Sequence, residues 1–330
     1  YATGTETDGG PVWKDLLTSY NGNPITYDAM GNPLNWGTDI SDMQWNNGRR
    51  LTSLQKRTNM ISYAYDETGL RTEKSTNTNR TYFDRDASGN LVHEFRDYSG
   101  YLGEDSHLYY YYDANGSIGS ISYNGVRYAF RKNLQGDVIA ILDTNSNIVA
   151  RYTYDAWGKV LSVTDANGNA NTSSTFIGNV NPIRYRGYYY DTETGWYYLN
   201  SRYYDPQVKR FINAVTAIGA NGRFSGRNLF AYCNNNPVRY IDPTGMSTSP
   251  IYDEEGKLLG TDDEGLQGVA IIMSKSNFKQ GMSHEEALSH DLGYNRLVDD
   301  EARTNYLKSY TSLKDRPDYD GYLTLKEANK

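Results

Sequence analysis

The sequence has one cysteine, Cys233, four histidines and eight phenylalanines, and it contains no apolar run of membrane-spanning length. One thiol forms no internal disulfide and no cysteine metal cluster, so its plain role is a small apolar side chain in a core. A membrane helix needs about 18 consecutive apolar residues, and no window supplies them. An excess of basic charge is also missing. With 33 Lys and Arg against 40 Asp and Glu, the net charge is −7, which argues against nucleic-acid binding by the repeat region, because phosphate neutralisation needs clustered cations. The opening residues YATGTETDGG lack the basic start and apolar run of a secretory signal. Because the chain starts with Tyr1, we expect it to be part of something longer, with any export signal upstream. No P-loop, paired-cysteine motif or Ser-His-Asp phrase is present.

What the chain has in quantity is tyrosine, 32 residues, together with 31 glycines. Tyrosine must therefore carry much of the apolar burden of the core. Each ring buries about 150–250 Å² while its hydroxyl looks for water or a partner. That suits a thin sheet with one wetted face better than an interior of Leu, Ile and Phe. The length, 330 residues, allows one large or two ordinary domains.

The tyrosines are phrased. ITYDAMGNPLNW begins at Ile25, YAYDETGLRTEK at Tyr63, YFDRDASGNLVHEF at Tyr82, YYYYDANGSIGSISY at Tyr109 and YTYDAWGKVLSV at Tyr152. A looser copy, YAFRKNLQGDVIAILDTNSNIVARY, lies between the last two. Such repetition is interpreted before anything else. Its physics is that of a hairpin: alternating aromatic and polar residues form a strand, Asp starts the turn through its side chain, and Gly takes the left-handed position. The Asn115–Gly116 and Asn124–Gly125 pairs are further hairpin signals. Repeated hairpins without helical periods stack edge to edge into a long coiled sheet or open solenoid. The stretch Leu161–Ser174, rich in Asn, Thr, Ser and Gly, reads as a surface loop. A competing reading of so many aromatics is a carbohydrate-binding or cell-wall-binding face. The coupling of each Tyr to a following Asp and Gly favours a turn requirement instead.

From Arg184 the text tightens: RYRGYYYDTETGWYYLNSRYYDPQVKRFINAVT, and after a gap NLFAYCNNNPVRYIDPTG, ending at Gly245. Short aromatic strands separated by turn formers predict a β-meander. The order and spacing of these phrases, preceded by the YD units, resemble the RHS/YD-repeat family over residues 20–246. The likeness is most specific to its RHS repeat-associated core domain. The family includes bacterial polymorphic toxins, toxin-complex C subunits and teneurins.

The resemblance implies a mainly β fold: a YD-repeat β-hairpin sheet coiling as part of a shell, with a smaller α-rich or α+β C-terminal segment. It implies three parts: repeats at 1–184, a core-domain plug at 185–246, and a variable, partial effector at 247–330. The implied function is encapsulation and delivery by a secreted or cell-surface bacterial protein in interbacterial competition. Its partners would be its own C-terminal effector as cargo, upstream repeats of the parent protein, and an immunity protein. No cofactor and no metal are implied.

In toxin-releasing members the core domain is an aspartyl-type autoprotease. The implied junction here is Asp242, Pro243 and Gly245, with the cut between Met246 and Ser247. The first family aspartate maps onto Asp205. The second position holds Val215, which neither accepts nor donates a proton, whereas the chemistry needs two carboxyl groups of opposite protonation. Self-cleavage would therefore require Asp191 or Asp242 to substitute. Without a partner, Asp205 reads as the starter of the turn before Pro206, and Arg202 and Arg210 as structural partners of carboxylates.

Beyond Ser247 the composition changes. Tyr252, Asp253 and Gly256 mimic one further hairpin. SHEEALSHDLGYNRLVDDEARTNYLKSYTSL reads as helical, with Ser283 as cap and Glu286 three residues on. His284, Glu285 and His290 lack the four-residue spacing of a helical zinc pair. Asp318, Asp320, Gly321 and Glu327 echo a calcium loop, but Arg316 stands at its first ligand position. Asp262, Asp263 and Glu264 read as a solvated turn.

Overall fold

The computed structural model describes residues 15–214 except 48, 99–102 and 114–115, then 228–238, 241–242 and 245, and short stretches between 250 and 292. The chain divides into two compact units, residues 1–214 with 227–238, and residues 215–226 with 239–330.

In the first unit, β1 (Ser19–Tyr20) and β2 (Asn23–Pro24) form a short hairpin. Twelve longer strands follow: β3 (Ile40–Asn46), β4 (Arg50–Lys56), β5 (Asn59–Tyr65), β6 (Arg71–Ser75), β7 (Arg80–Arg85) and β8 (Leu91–Asp97). After them come β9 (Ser106–Tyr112), β10 (Ile118–Tyr123), β11 (Val126–Lys132), β12 (Val138–Leu142), β13 (Ile148–Tyr154) and β14 (Val160–Thr164). They lie side by side in sequence order as one antiparallel sheet that does not close on itself. The mainly β expectation is met.

The YD phrase is the turn between strands. Asp155 N–H donates to the Lys159 carbonyl at 3.0 Å and Gly158 N–H returns to the Asp155 carbonyl at 3.1 Å. The Asp155 Oδ1 accepts from the Trp157 and Lys159 amides, both at 2.9 Å. Asp28, Asp66, Asp86, Asp113, Asp143 and Asp165 each accept the amide four residues on in the same way. In the looser copy Asn133 takes the part with its own Oδ1. The pairing register shifts at the residue before the turn, as at Ala64/Tyr65 and Thr153/Tyr154. Such bulges bend a strand and raise its twist.

Tyrosine at that bulge explains why phenylalanine is scarce. The hydroxyls of Tyr65, Tyr112 and Tyr154 donate to the carbonyls of Leu51, Leu91 and Val138 at 2.7, 3.0 and 2.8 Å. Each acceptor lies at or next to the start of the adjoining strand. The ring fills the inner face and the hydroxyl straps two neighbouring strands together.

The predicted loop at Leu161–Ser174 is corrected by the structure. Leu161–Thr164 belong to β14, Asp165 builds another turn of the repeat type, and Thr164 bridges Ala170. Polar composition hid a strand whose residues are only partly buried.

Past a short α1 (Ile177–Val180), four strands form the predicted meander: β15 (Tyr189–Asp191), β16 (Trp196–Tyr198), β17 (Tyr203–Asp205) and β18 (Arg210–Phe211). This meander shares one core with the sheet. Leu54, Ile61, Leu108 and Ile141 of the inner face belong to the same buried cluster as Trp196 and Tyr203. Cys233 is buried, as its isolation predicts.

In the second unit β19 (Pro250–Tyr252) pairs antiparallel with β20 (Leu258–Thr261) and parallel with β21 (Ile271–Ile272). The two arms of the additional hairpin expected around Tyr252 are thus paired, while Gly256 lies outside the described residues. α2 (His284–Ser289) begins directly after Ser283, which itself lies outside the described residues. Among the described residues no helix is long and apolar enough to cross a membrane.

Candidate functional site

The seam between sheet and plug is lined by charge. Arg71 opens β6 on the inner face and is 1% exposed. Its guanidinium lies 4.4, 4.7 and 5.0 Å from the ring centres of Tyr198, Phe83 and Tyr189, where ring quadrupoles favour a cation. It donates to both oxygens of Asp191 on β15, at 2.6 and 3.2 Å. Lys74, three residues on and brought back to the inner face by the register shift opposite Ala64/Tyr65, reaches Asp191 Oδ1 and Glu193 Oε2, each at 2.9 Å. Burial pushes the Asp191 carboxyl up, but the Arg71 and Lys74 charges outweigh it and hold the group below its usual range. A buried charge of this kind is tolerable only when paired and hydrogen-bonded.

A second contact lies two strands away. Glu94 of β8 is fully buried and accepts from Arg96 at 2.5 Å, from the Tyr110 hydroxyl at 2.6 Å and from the Tyr189 hydroxyl at 3.0 Å. Burial opposes ionisation here too, and Arg96 with Tyr110 carries the balance the other way, so the Glu94 carboxyl sits below its ordinary value. Arg96 also donates to the Val180 carbonyl of α1 at 2.9 Å. Tyr189 thus touches both the Arg71 and the Glu94 clusters.

Asp205 ends β17, where its Oδ1 accepts from the Gln207 and Val208 amides at 2.7 and 3.1 Å. Its Oδ2 accepts from the indole N–H groups of Trp36 and Trp196 at 2.8 and 3.2 Å. Desolvation pushes this carboxyl up from its ordinary value, against the four donors that favour the anion. The arrangement is that of a turn former tied to Trp36 far back in the chain. Asp191 stands at the centre of the seam with both oxygens engaged. Asp242, in the second unit, is buried and accepts the Gly245 amide at 2.9 Å. Val215, Pro243, Met246 and Ser247 lie outside the described residues, as do Asp262, Asp263, Glu264, Arg316, Asp318, Asp320, Gly321 and Glu327.

The contacts described for Arg202 and Arg210 are to carbonyls and rings. Arg202 donates to the Leu229 carbonyl at 3.2 Å and covers Phe211, while Arg210 donates to the Asp15 carbonyl at 2.7 Å and covers Phe230. Among the described residues no group of three or more His, Cys, Asp or Glu is placed to hold a metal ion. The sequence reading missed Arg71, Lys74 and Glu94. Alternation alone gave no sign of them, because a register shift inside each pairing brings residues three apart, Arg71 with Lys74 and Leu91 with Glu94, to the same face.

On the outer face Tyr82, Phe95 and His107 form one cross-strand row, with ring centres 6.1 and 4.8 Å apart and planes within 18° of parallel. His93 and Tyr109 form a second, at 4.4 Å and 22°. Near-parallel rings on adjacent strands spend their faces on one another.

Three comparisons place this geometry among known proteins. The family model of the teneurin YD-shell matches residues 15–238. The chain is 36% identical over 233 residues to the tRNA3(Ser)-specific nuclease WapA of Bacillus spizizenii, a match covering 69% of this chain and 9% of that protein. It is 42% identical over 65 residues to toxin protein Tse5 of Pseudomonas aeruginosa, covering 20% of this chain and 5% of that one. The crystal structure of TcdB2-TccC3-Cdc42 superposes with a TM-score of 0.54 at 23% identity, over 66% of this chain and 11% of that chain, a likeness of fold. The matched region is thus a small part of much longer proteins.

Proposed function

The chain belongs to the teneurin YD-shell family, and from that premise we propose that it is the closing end of a β-shell that encloses and delivers a C-terminal effector. On this reading residues 1–184 are wall, 185–246 are the plug and 247–330 are the beginning of the cargo. The observation that carries it is the plug's attachment: four short strands fixed to the inner face of the sheet by the buried Arg71–Asp191 pair. A wall held this way on its inside has its inner surface committed to a piece of its own chain. Secretion, an immunity partner and a role in competition between bacteria belong to the same reading, supported by the likeness to Tse5 and WapA.

The test is protection. In the intact protein that carries this chain, the segment after Met246 should resist trypsin at concentrations that digest the same segment expressed alone. Equal digestion of the two would remove the enclosure reading.

Asp205 is, on this reading, a structural residue, because its four acceptor positions are filled by protein N–H groups. Incubated purified protein should give no new band on a denaturing gel. A fragment beginning at Ser247, abolished by Asp205→Asn, would assign the residue to self-cleavage instead.

A further inference from the structure

The first unit ends at Val238, and two elements distant in sequence meet its last residues. Arg186 belongs to the RYRG phrase and sits at φ 56 and ψ 15, a left-handed conformation that side-chain-bearing residues adopt only when their surroundings impose it. What imposes it is the turn at 133–137. The Asp137 Oδ1 accepts the Arg186 amide at 2.9 Å, and the Arg186 Nη1 donates to the Gln135 carbonyl at 3.0 Å. Asp137 is itself held by the Asn133 side-chain amide at 2.6 Å. Fixed in this way, Arg186 directs its Nη2 to the Pro237 carbonyl, and the Gln135 side-chain amide donates to the Val238 carbonyl at 2.8 Å. Pro237 is buried, whereas Val238 is 63% exposed.

We propose that Arg186 and Gln135 form an exit clasp, which fixes where the polypeptide leaves the first unit by gripping two consecutive main-chain carbonyls. Both gripped groups are backbone acceptors. The grip is therefore indifferent to the side chains that follow, and its partner is the main chain of the turn at Pro237–Val238. Such a fastening suits a wall whose downstream segment varies in sequence. The strained Arg186 backbone is the device that points one guanidinium at two carbonyls from different parts of the chain. Only the purpose of the clasp rests on the cargo reading; its existence is a property of residues 133–137, 186 and 237–238.

The test keeps those two apart by measuring residues 228–238 alone. Hydrogen exchange followed by mass spectrometry on the whole chain should show Arg186→Ala opening amides of 228–238 about tenfold faster or more, the scale of losing charge-assisted hydrogen bonds. Tryptic cleavage after Arg239 should accelerate in parallel. Gln135→Ala, at an exposed side chain, should produce a smaller change in the same segment with an unchanged unfolding midpoint, which guards against a folding defect of the arginine variant. Exchange in 228–238 that stays at the parental rate in both variants overturns the clasp. So does acceleration spread evenly over the twelve-stranded sheet. The effector-protection experiment can fail while this one succeeds.

Discussion

Arg71 and Asp191 stand 120 positions apart in the chain and meet through two hydrogen bonds, at 2.6 and 3.2 Å, with both side chains buried. The pair ties the twelve-stranded sheet to the four-stranded meander. Asp191→Ala leaves Arg71 buried without its anion and Lys74 with Glu193 alone, and the loss should be about 3–5 kcal/mol. Urea unfolding monitored by tyrosine fluorescence measures it. Arg71→Met combined with Asp191→Leu should cost clearly less than the sum of the single changes, because neither partner is then left charged in the core.

Two glycines of the same turn type predict different outcomes. Gly136 and Gly158 share φ 87, yet a Cβ at Gly136 meets nothing within 4 Å, whereas one at Gly158 collides with the Tyr185 ring. Gly136→Ala should cost about 1 kcal/mol, the conformational penalty alone. Gly158→Ala should cost at least about 1–3 kcal/mol more, because the plug ring has to move. Thermal unfolding of the two variants side by side decides it, and equal midpoints would contradict the packing.

Acid dependence follows from the turns. The Asn90 side-chain amide and backbone amide lower the Asp86 carboxyl, and the backbone amides of Asn147 and Asn169 do the same for Asp143 and Asp165. A folded-state value below the unfolded one gives stability that is complete above the unfolded value, about 3.9, and is lost as pH falls through the folded one. Stability should therefore decline on acidification below about pH 4. Asn133 shows that a neutral acceptor builds the same turn. Asp143→Asn should accordingly keep the midpoint at pH 7 and flatten the slope below pH 4, in unfolding curves recorded across pH.

The tyrosine straps can be removed one hydroxyl at a time. Tyr154→Phe keeps the ring and deletes the bond to the Val138 carbonyl, and should cost about 1 kcal/mol. Chemical denaturation measures this, and hydrogen exchange should place the effect at β12 and β13.

The hairpins were legible because their cause is local: an Asp side chain reaching the amide four residues on leaves its mark in five consecutive letters. The turn at Asn133 was visible only as a loose copy, and the one at Asp143 puts Ser146 at φ 65 where others have glycine. The strand at 160–164 was hidden because its residues are half-buried rather than alternating. At the seam, Asp191 was read as a possible substitute acid, while Arg71, Lys74 and Glu94 were passed over among surface charges. Nothing within reach of β6 in the sequence says that a carboxylate will arrive from 120 residues later. The Trp36–Asp205 bond is of the same kind, joining residues 169 apart.

A sheet in which every strand pairs with the one made just before it can lengthen at the pace of the ribosome, since each addition asks only for a short local closure. The four strands 189–211 are made only after all twelve strands of the sheet, so the growing ribbon must wait with its inner face uncovered. During that wait Arg71 and Lys74 are hydrated ions on an otherwise sticky surface. The same two side chains that lock the finished object would keep its unfinished form from clumping, and they stop doing so only when Asp191 and Glu193 emerge.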